Sequence, residues 1–325
     1  MTDTRIDPAV VELGFEEYRR ELAAYCYRML GSAFEADDAV QETLVRAWRS
    51  IDSFEGRAAL RSWLYRIASN VCFDMLKGRQ RRAMPIDLMA PGRGDGTVGG
   101  TLPEHMWVGP IPDSSVMPAT DDPAERAVAR ESVRLAFVAA LQHLPPRQRA
   151  VLILREVLKW KASEVAELLD TSVQSVNSAL QRARATLADS NLSSIPPLEP
   201  KDHAQQELLA RYVDAFERFD VKAMVSLLHE DATMMMPPYP LWMRGAAEYG
   251  KWLMGSGSGC RGSVLRSVEA NGEPAFAQWR SSPEGGYDAW SIHTLEISDG
   301  VITAINFFVD SKLFLRFGLP VHLDA

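Results

Sequence analysis

The sequence predicts a multidomain chain: two all-helical blocks, the second with a helix-turn-helix, followed by an α+β domain on a curved antiparallel sheet. Three observations lead there. Apolar residues recur at three- and four-residue steps through 9–82 and again through 123–190, the spacing of one buried helix face. The stretch "SEVAELLDTSVQSVNSALQRARATL" at 163–187 reads as two short helices meeting at a tight turn. From 232 onward the pattern changes to strand-like runs, the last of them separated by "EANGEP" and "ISDGVI". Asn-Gly and Asp-Gly are the turns that two-residue hairpins demand.

In chain order, "EEYRRELAAYCYRMLG" ends on Gly31, a natural helix stop. "EADDAVQETLVRAWRS" is expected to bury Ala39, Val40, Thr43, Leu44, Ala47 and Trp48, with Asp38, Gln41, Glu42 and Arg46 on other faces. "RAALRSWLYRIASNVCFDMLKGRQRR" closes the block at residue 82 in a basic cluster, which complements the negative end of the helix dipole. Residues 83–124 are acidic and rich in Pro and Gly, the composition of an extended linker. Trp107 within it, in "MWVGPIPD", is expected to dock on a neighbouring domain, since a large indole gains from cover. Pro123 suits a first helical position, and "AERAVARESVRLAFVAALQHL" reads as one helix running to Pro145–Pro146. The helical block spans 125–190, and "SSIPPLEP" marks a second linker at 191–201. In 202–325, helices at 202–218 and 221–229 precede the strands.

The net charge of −8 is unevenly spread. Residues 1–56 hold 6 basic and 12 acidic groups, whereas 57–82 hold 7 basic and 1 acidic. An acidic surface followed by a basic strip is compatible with nucleic acid despite the overall balance. Cys26, Cys72 and Cys260 lack zinc or redox spacing, and no metal or cofactor is expected. No leader pattern or membrane-length apolar run occurs, so the expected location is the cytoplasm, away from membranes.

Within 163–187, Val165, Ala166 and Leu169 make one apolar face, Asp170–Thr171 the turn, and Ser172 a cap for the second helix. That helix is expected to bury Val173, Val176, Leu180, Ala183 and Leu187. It presents Ser172, Gln174, Ser175, Asn177, Ser178, Gln181, Arg182 and Arg184 on its other side. Short polar and amide groups reach base edges, and arginine meets guanine or phosphate. A solvated amphipathic hairpin fits the same pattern equally well.

The segments "EADDAVQETLVRAWRSIDSFEGRAALRSWLYRIASNVCFDML" and "LPPRQRAVLILREVLKWKASEVAELLDTSVQSVNSALQRARATL" decide between them. Residues 12–82 and 125–190 together resemble an extracytoplasmic-function (ECF) sigma factor of the sigma-70 family. The long linker with "WVGPIPD" and the trailing domain are most similar to the SigG-type branch, whose tail is a SnoaL-like conical barrel. The resemblance implies two all-α sigma domains, 9–82 and 125–190, and a SnoaL-like regulatory domain at 202–325. It implies core RNA polymerase (its β′ and β subunits) and promoter DNA as partners of a chain that is monomeric when free. By position, Asp37, Asp38, Gln41 and Glu42 are the polymerase-binding candidates. Arg57, Arg61, Arg66, Asn70, Asp74, Lys77, Arg79, Arg81 and Arg82 are expected at the −10 element, with Phe54, Trp63 and Tyr65 as further stacking or hydrogen-bonding groups and Trp63 the most core-like of them. The helix-turn-helix is expected at the −35 element. Two departures stand out: Lys161 replaces the usual Ser/Thr cap, and Asp170 replaces the turn glycine.

The tail offers His229, Asp231, Tyr239, Asp288, His293 and Asp310 as titratable groups. Met234, Met236, Trp242, Trp279, His293 and Phe307 are the candidate pocket for a small hydrophobic ligand. No nucleophile motif or histidine–carboxylate spacing appears, so regulation in cis is expected and no catalytic residue is assigned. The alternative is a bifunctional chain with a ligand-binding or isomerase/cyclase-like tail.

Overall fold

The computed structural model describes residues 8–51, 54, 60–189 and 203–324. These group into two compact units, 1–82 with 114–195, and 83–113 with 196–325.

The first unit is all helical. Helices α1 (Pro8–Leu30), α2 (Ala33–Arg49) and α3 (Leu60–Leu76) pack around Tyr25, Met29, Leu64, Tyr65 and Val71. Gly31 ends α1 at φ 72°, and Ser32 caps α2 by accepting from the Glu35 N–H at 3.4 Å. Helix α4 (Pro85–Leu88) belongs to the second unit. The first resumes with α5 (Pro123–Val133), α6 (Leu135–Leu141) and α7 (Pro146–Leu152), which continues as a π-helix over Ile153–Val157. Helices α8 (Ala162–Leu168) and α9 (Val173–Asp189) complete it.

The single helix expected after Pro123 is broken at Arg134, whose ψ is 140°. The Ser132 carbonyl instead accepts from Arg28 Nε of α1 at 3.0 Å. Periodicity does not register such a break, because its cause lies 104 residues away.

The second unit is α+β. Helices α10 (His203–Glu217) and α11 (Val221–Ser226) lead into β1 (Leu228–Met235), β2 (Trp242–Arg244), α12 (Ala246–Met254), β3 (Val264–Ala270), β4 (Glu273–Ser281), β5 (Tyr287–Ser298) and β6 (Val301–Phe308). Helix α13 (Lys312–Arg316) and β7 (His322–Leu323) follow. The strand order is β2-β1-β6-β5-β4-β3, with β7 on β5; β1 and β6 are parallel and the other pairs antiparallel. The hairpin turns form as expected, with Asn271–Gly272 at φ 55° and 71° and Asp299–Gly300 at 51° and 72°. The start of β1 replaces the end of the helix expected at 221–229.

One side of the sheet joins the helices in a core of Tyr212, Phe216, Trp252, Phe276, Leu295 and Phe307. Trp279 lies elsewhere, edge-on to Phe314 at 4.9 Å, with its indole N–H donating to the Pro320 carbonyl at 3.0 Å.

Residues 83–113 are strapped to this sheet domain. Gly92 N–H donates to the Trp242 carbonyl at 2.7 Å, and the Trp242 indole donates to the Met89 carbonyl at 2.7 Å. Gly94 N–H donates to the Glu248 carboxylate of α12 at 2.8 Å. Leu102 N–H reaches the Pro238 carbonyl at 2.9 Å. At the far end, Ile111 and Asn271 exchange hydrogen bonds at 3.0 and 3.1 Å, and Asp113 accepts from Gly272 N–H at 2.8 Å. The strap therefore runs from the β2 edge to the β3–β4 hairpin. Trp107 is buried within this unit at 4% exposure.

Candidate functional site

On α2 the side facing the helical core carries Ala36, Ala39, Val40, Thr43 and Ala47. Asp38, Gln41, Val45 and Trp48 follow each other at steps of three, four and three, and all are exposed, Trp48 at 61%. Trp48 was expected in the core; it stands in solvent because the last turn of α2 presents it on the Asp38 side. An exposed indole beside a valine and an acid is the composition of a protein-binding patch. The stripe could have been read from the spacing alone. Asp37 and Glu42 are half-buried. Glu42 holds Arg46 at 2.7 Å, and Arg46 also reaches Asp74 at 3.0 Å.

The basic candidates of the following helix divide. Arg66, Asn70 and Asp74 are exposed at four-residue steps on α3, and Lys77 is exposed in the turn just after it. Arg61 is half-buried and bound to Glu21. Arg79 and Arg82 converge on Glu35 at 2.5 and 3.0 Å, and Arg82 is buried at 5% exposure. That placement corrects the expectation for Arg82, whose guanidinium is held inward by a carboxylate. Arg81 lies 2.6 Å from His143 Nδ1. Tyr65 is fully buried with its hydroxyl donating to Glu21 at 2.8 Å, so it offers no face to a base. Trp63 is half-buried between Phe15 and Phe54. Arg57 lies outside the described residues.

The helix-turn-helix forms with the predicted chemistry at its joints. Asp170 takes φ 49°, the left-handed turn that an aspartate tolerates. Ser172 Oγ accepts from Ser175 N–H at 3.1 Å, capping α9. Lys161 supplies no side-chain cap, but its own N–H donates to Glu164 at 2.6 Å. Val165, Ala166, Val176, Leu180 and Ala183 are buried; Leu168 replaces the half-buried Leu169 in that face, Leu187 is half-buried, and Val173 is exposed at 43% because it opens the first turn of α9. Ser172, Gln174, Ser175, Asn177, Gln181, Arg182 and Arg184 are exposed, and Ser178 is half-buried. Arg184 pairs with Glu156.

In the second unit the six pocket candidates do not converge. Met234, Met236 and Phe307 join the helix-facing core, with the His293 ring 4.4 Å from that of Phe307. Trp242 and Trp279 are drawn away by the strap and by α13, as described above. His293 is fully buried; Tyr212 Oη lies 3.2 Å from its Nδ1 and Gln278 Oε1 3.0 Å from its Nε2. Gln278 in turn binds Ser263 and Ser291. Of the other titratable candidates, His229, Asp231 and Asp288 are exposed, and Tyr239 and Asp310 are half-buried. Burial, helped by the Arg280 charge, pushes the His293 imidazole down to about 3. Folding therefore keeps His293 neutral where the unfolded chain would protonate it near 6.5. Stability from this group is complete above that value and is lost as pH falls from about 6.5 towards 3. Melting of the sheet domain followed against pH should show this loss, and His293→Gln should flatten it.

Among the described residues no helix is long and apolar enough to cross a membrane. Family models for Sigma-70 region 2, Sigma-70 region 4 and a SnoaL-like domain match residues 15–82, 134–187 and 209–305. The ECF RNA polymerase sigma factor SigG of Mycobacterium tuberculosis is 44% identical over 317 residues, 95% of this chain and 83% of that one. SigJ of the same species is 33% identical over 220 residues, 67% of this chain and 62% of that one. The crystal structure of SigJ superposes with a TM-score of 0.61 at 24% identity, covering 95% of this chain and 99% of SigJ. The fold is thus two helical domains followed in sequence by a SnoaL-like α+β domain.

Proposed function

The chain belongs to the ECF sigma factors of the sigma-70 family, and on that premise we propose that its SnoaL-like domain regulates it in cis through the linker. Sigma factors bind core RNA polymerase and promoter DNA. The α2 stripe around Asp38 and Trp48 is the polymerase surface, the exposed face of α3 meets the −10 element, and α9 reads the −35 element. The observation that carries the regulatory reading is the strap: the segment joining the two sigma domains is bound along the SnoaL-like sheet, so tail and linker act as one part. Catalysis by the tail is disfavoured by its chemistry. His293 is the one titratable candidate fully buried among the core side chains, and it is neutral with both ring nitrogens engaged. Its ring nitrogens meet a phenol and an amide rather than a carboxylate, so a pocket ligand, if one binds, acts as an effector.

In vitro transcription with core polymerase on a genomic fragment library tests the assignment and yields a promoter; the absence of any specific start above core alone would count against it. On that promoter, Arg182→Ala should weaken use of the −35 element by about 1–3 kcal/mol in a base-dependent manner. A uniform loss with a shallower salt slope would reassign Arg182 to phosphate.

A further inference from the structure

Helix α12 of the SnoaL-like unit carries two buried donors that meet no acceptor. Tyr249 and Trp252 stand three residues apart, a spacing that puts both on one helix face, and they are 2% and 3% exposed. Among the described residues the Tyr249 hydroxyl and the Trp252 indole N–H have no hydrogen-bond partner. Buried donors are rarely left so, because desolvation then goes uncompensated. The two rings lie 6.1 Å apart at 13°, and the Phe307 ring is 6.3 and 6.4 Å from them.

Arg280 of β4 adds a third. The β4–β5 pairing steps from Gln278–Ser291 to Trp279–Ala289, so Trp290 is the extra residue of a bulge, a device that re-aims a side chain. The Arg280 guanidinium lies 3.6 Å from the centroid of the Trp290 ring. Its Nη2 donates to Cys260 Sγ at 3.0 Å, a weak acceptor, and its Nε is buried without any. Among the described residues no carboxylate pairs with it. His293 supplies no negative charge either, since burial and the Arg280 charge hold its imidazole down to about 3.

The turn Ser256–Cys260 joins these groups. A Cβ on Gly257 would lie 2.5 Å from the Trp252 ring, so glycine lets the turn press on the indole. Its end, Cys260, meets Arg280. Its start reaches the strap, with Ser256 Oγ donating to the Gly96 carbonyl at 3.4 Å. Glu248, beside Tyr249, accepts from Gly94 N–H of the same strap.

We infer that Tyr249, Trp252 and Arg280 form a binding site for a small organic carboxylate with a flat apolar body. The guanidinium fork matches a carboxylate, and the phenol and indole donors complete its oxygens. The rings of Tyr249, Trp252 and Phe307 cover the body. One cation among aromatic rings suits a single negative charge. The site deepens the reading of the tail as a regulator in cis and rests on it for its role: a ligand there bears on α12 and on the 256–260 turn, the two places where the strap is held beside it.

Naphthalene carboxylate is the probe, titrated into the full chain by its own fluorescence, with naphthalene carboxamide as its neutral counterpart. Saturable binding of the acid is expected, weaker by about tenfold or more for the amide and for Arg280→Gln. Tyr249→Phe should cost about tenfold as well, yet leave the melting temperature of the free protein unchanged or higher, because it removes a buried hydroxyl that nothing satisfies. A tyrosine that only builds the core would do the reverse, lowering the melting temperature and leaving affinity alone. Absence of saturable binding, equal binding of acid and amide, or unchanged affinity in both variants would overturn the site. These readings need no polymerase. Trypsin cleavage at Arg93 is followed separately and should change severalfold on saturation; an unchanged rate with binding intact would count against control through the strap, not against the site.

Discussion

Replacing Trp48 by alanine should weaken core-polymerase binding by at least thirtyfold, about 2 kcal/mol, with no change in helix content. The first half rests on what an exposed indole does at an interface. Large aromatic anchors at the centre of a protein contact carry about 2 kcal/mol or more on truncation. The second half rests on placement. At 61% exposure Trp48 contributes little to its own domain, and α2 is anchored by Ala39, Val40, Thr43 and Ala47 on the opposite side. Adding Asp38→Lys should remove the remaining affinity, because a cation replaces an acid against the basic partner expected there, and like charges across an interface cost several kcal/mol. Affinity is read by titrating labelled core at moderate salt, with circular dichroism as the control. Binding that survives both changes would move the polymerase contact off α2.

The second large effect is expected at Gly94. A Cβ at this position would lie 2.0 Å from the Glu248 carbonyl oxygen and 3.0 Å from its carbon, which no side chain tolerates. The strap backbone approaches α12 so closely that only glycine fits. Gly94→Ala must therefore lift the strap or shift α12, and with it goes the hydrogen bond from Gly94 N–H to Glu248. A cost of about 1–3 kcal/mol is expected. Cleavage by trypsin at the neighbouring Arg93 should become several times faster, while the melting of the helical unit stays put. Unaltered proteolysis would mean that 89–102 is held by its other contacts alone.

What could be read ahead of the structure was local. The Asn271–Gly272 and Asp299–Gly300 turns, the Ser172 cap and the left-handed Asp170 each follow from the chemistry of one or two residues. What escaped was decided by partners distant in the chain. Helical spacing assigned Trp48 to the buried stripe because Leu44 and Ala47 precede it, yet among the described residues Trp48 stays 61% exposed on the Asp38 side of α2. The break at Arg134 depends on Arg28. Trp242 and Trp279 were grouped with Met234 and Phe307 as pocket residues by type, but alternation along a strand sends neighbouring residues to opposite faces. Arg82 looked like a DNA contact from the charge run and is instead bound to Glu35. Residues 83–113 had the composition of a free tether; only the indole of Trp107 signalled that they are held.

Regulation in cis has a sign, and we propose that linker and SnoaL-like domain together restrain the sigma factor. It is tested most directly by run-off transcription with core polymerase, comparing the intact chain with Gly94→Ala at matched concentration. Release of the strap gives the two sigma domains more reach, so higher output is expected from Gly94→Ala, approached by a chain ending at residue 190. Equal output from the intact and Gly94→Ala proteins, with proteolysis showing the strap released, would contradict it.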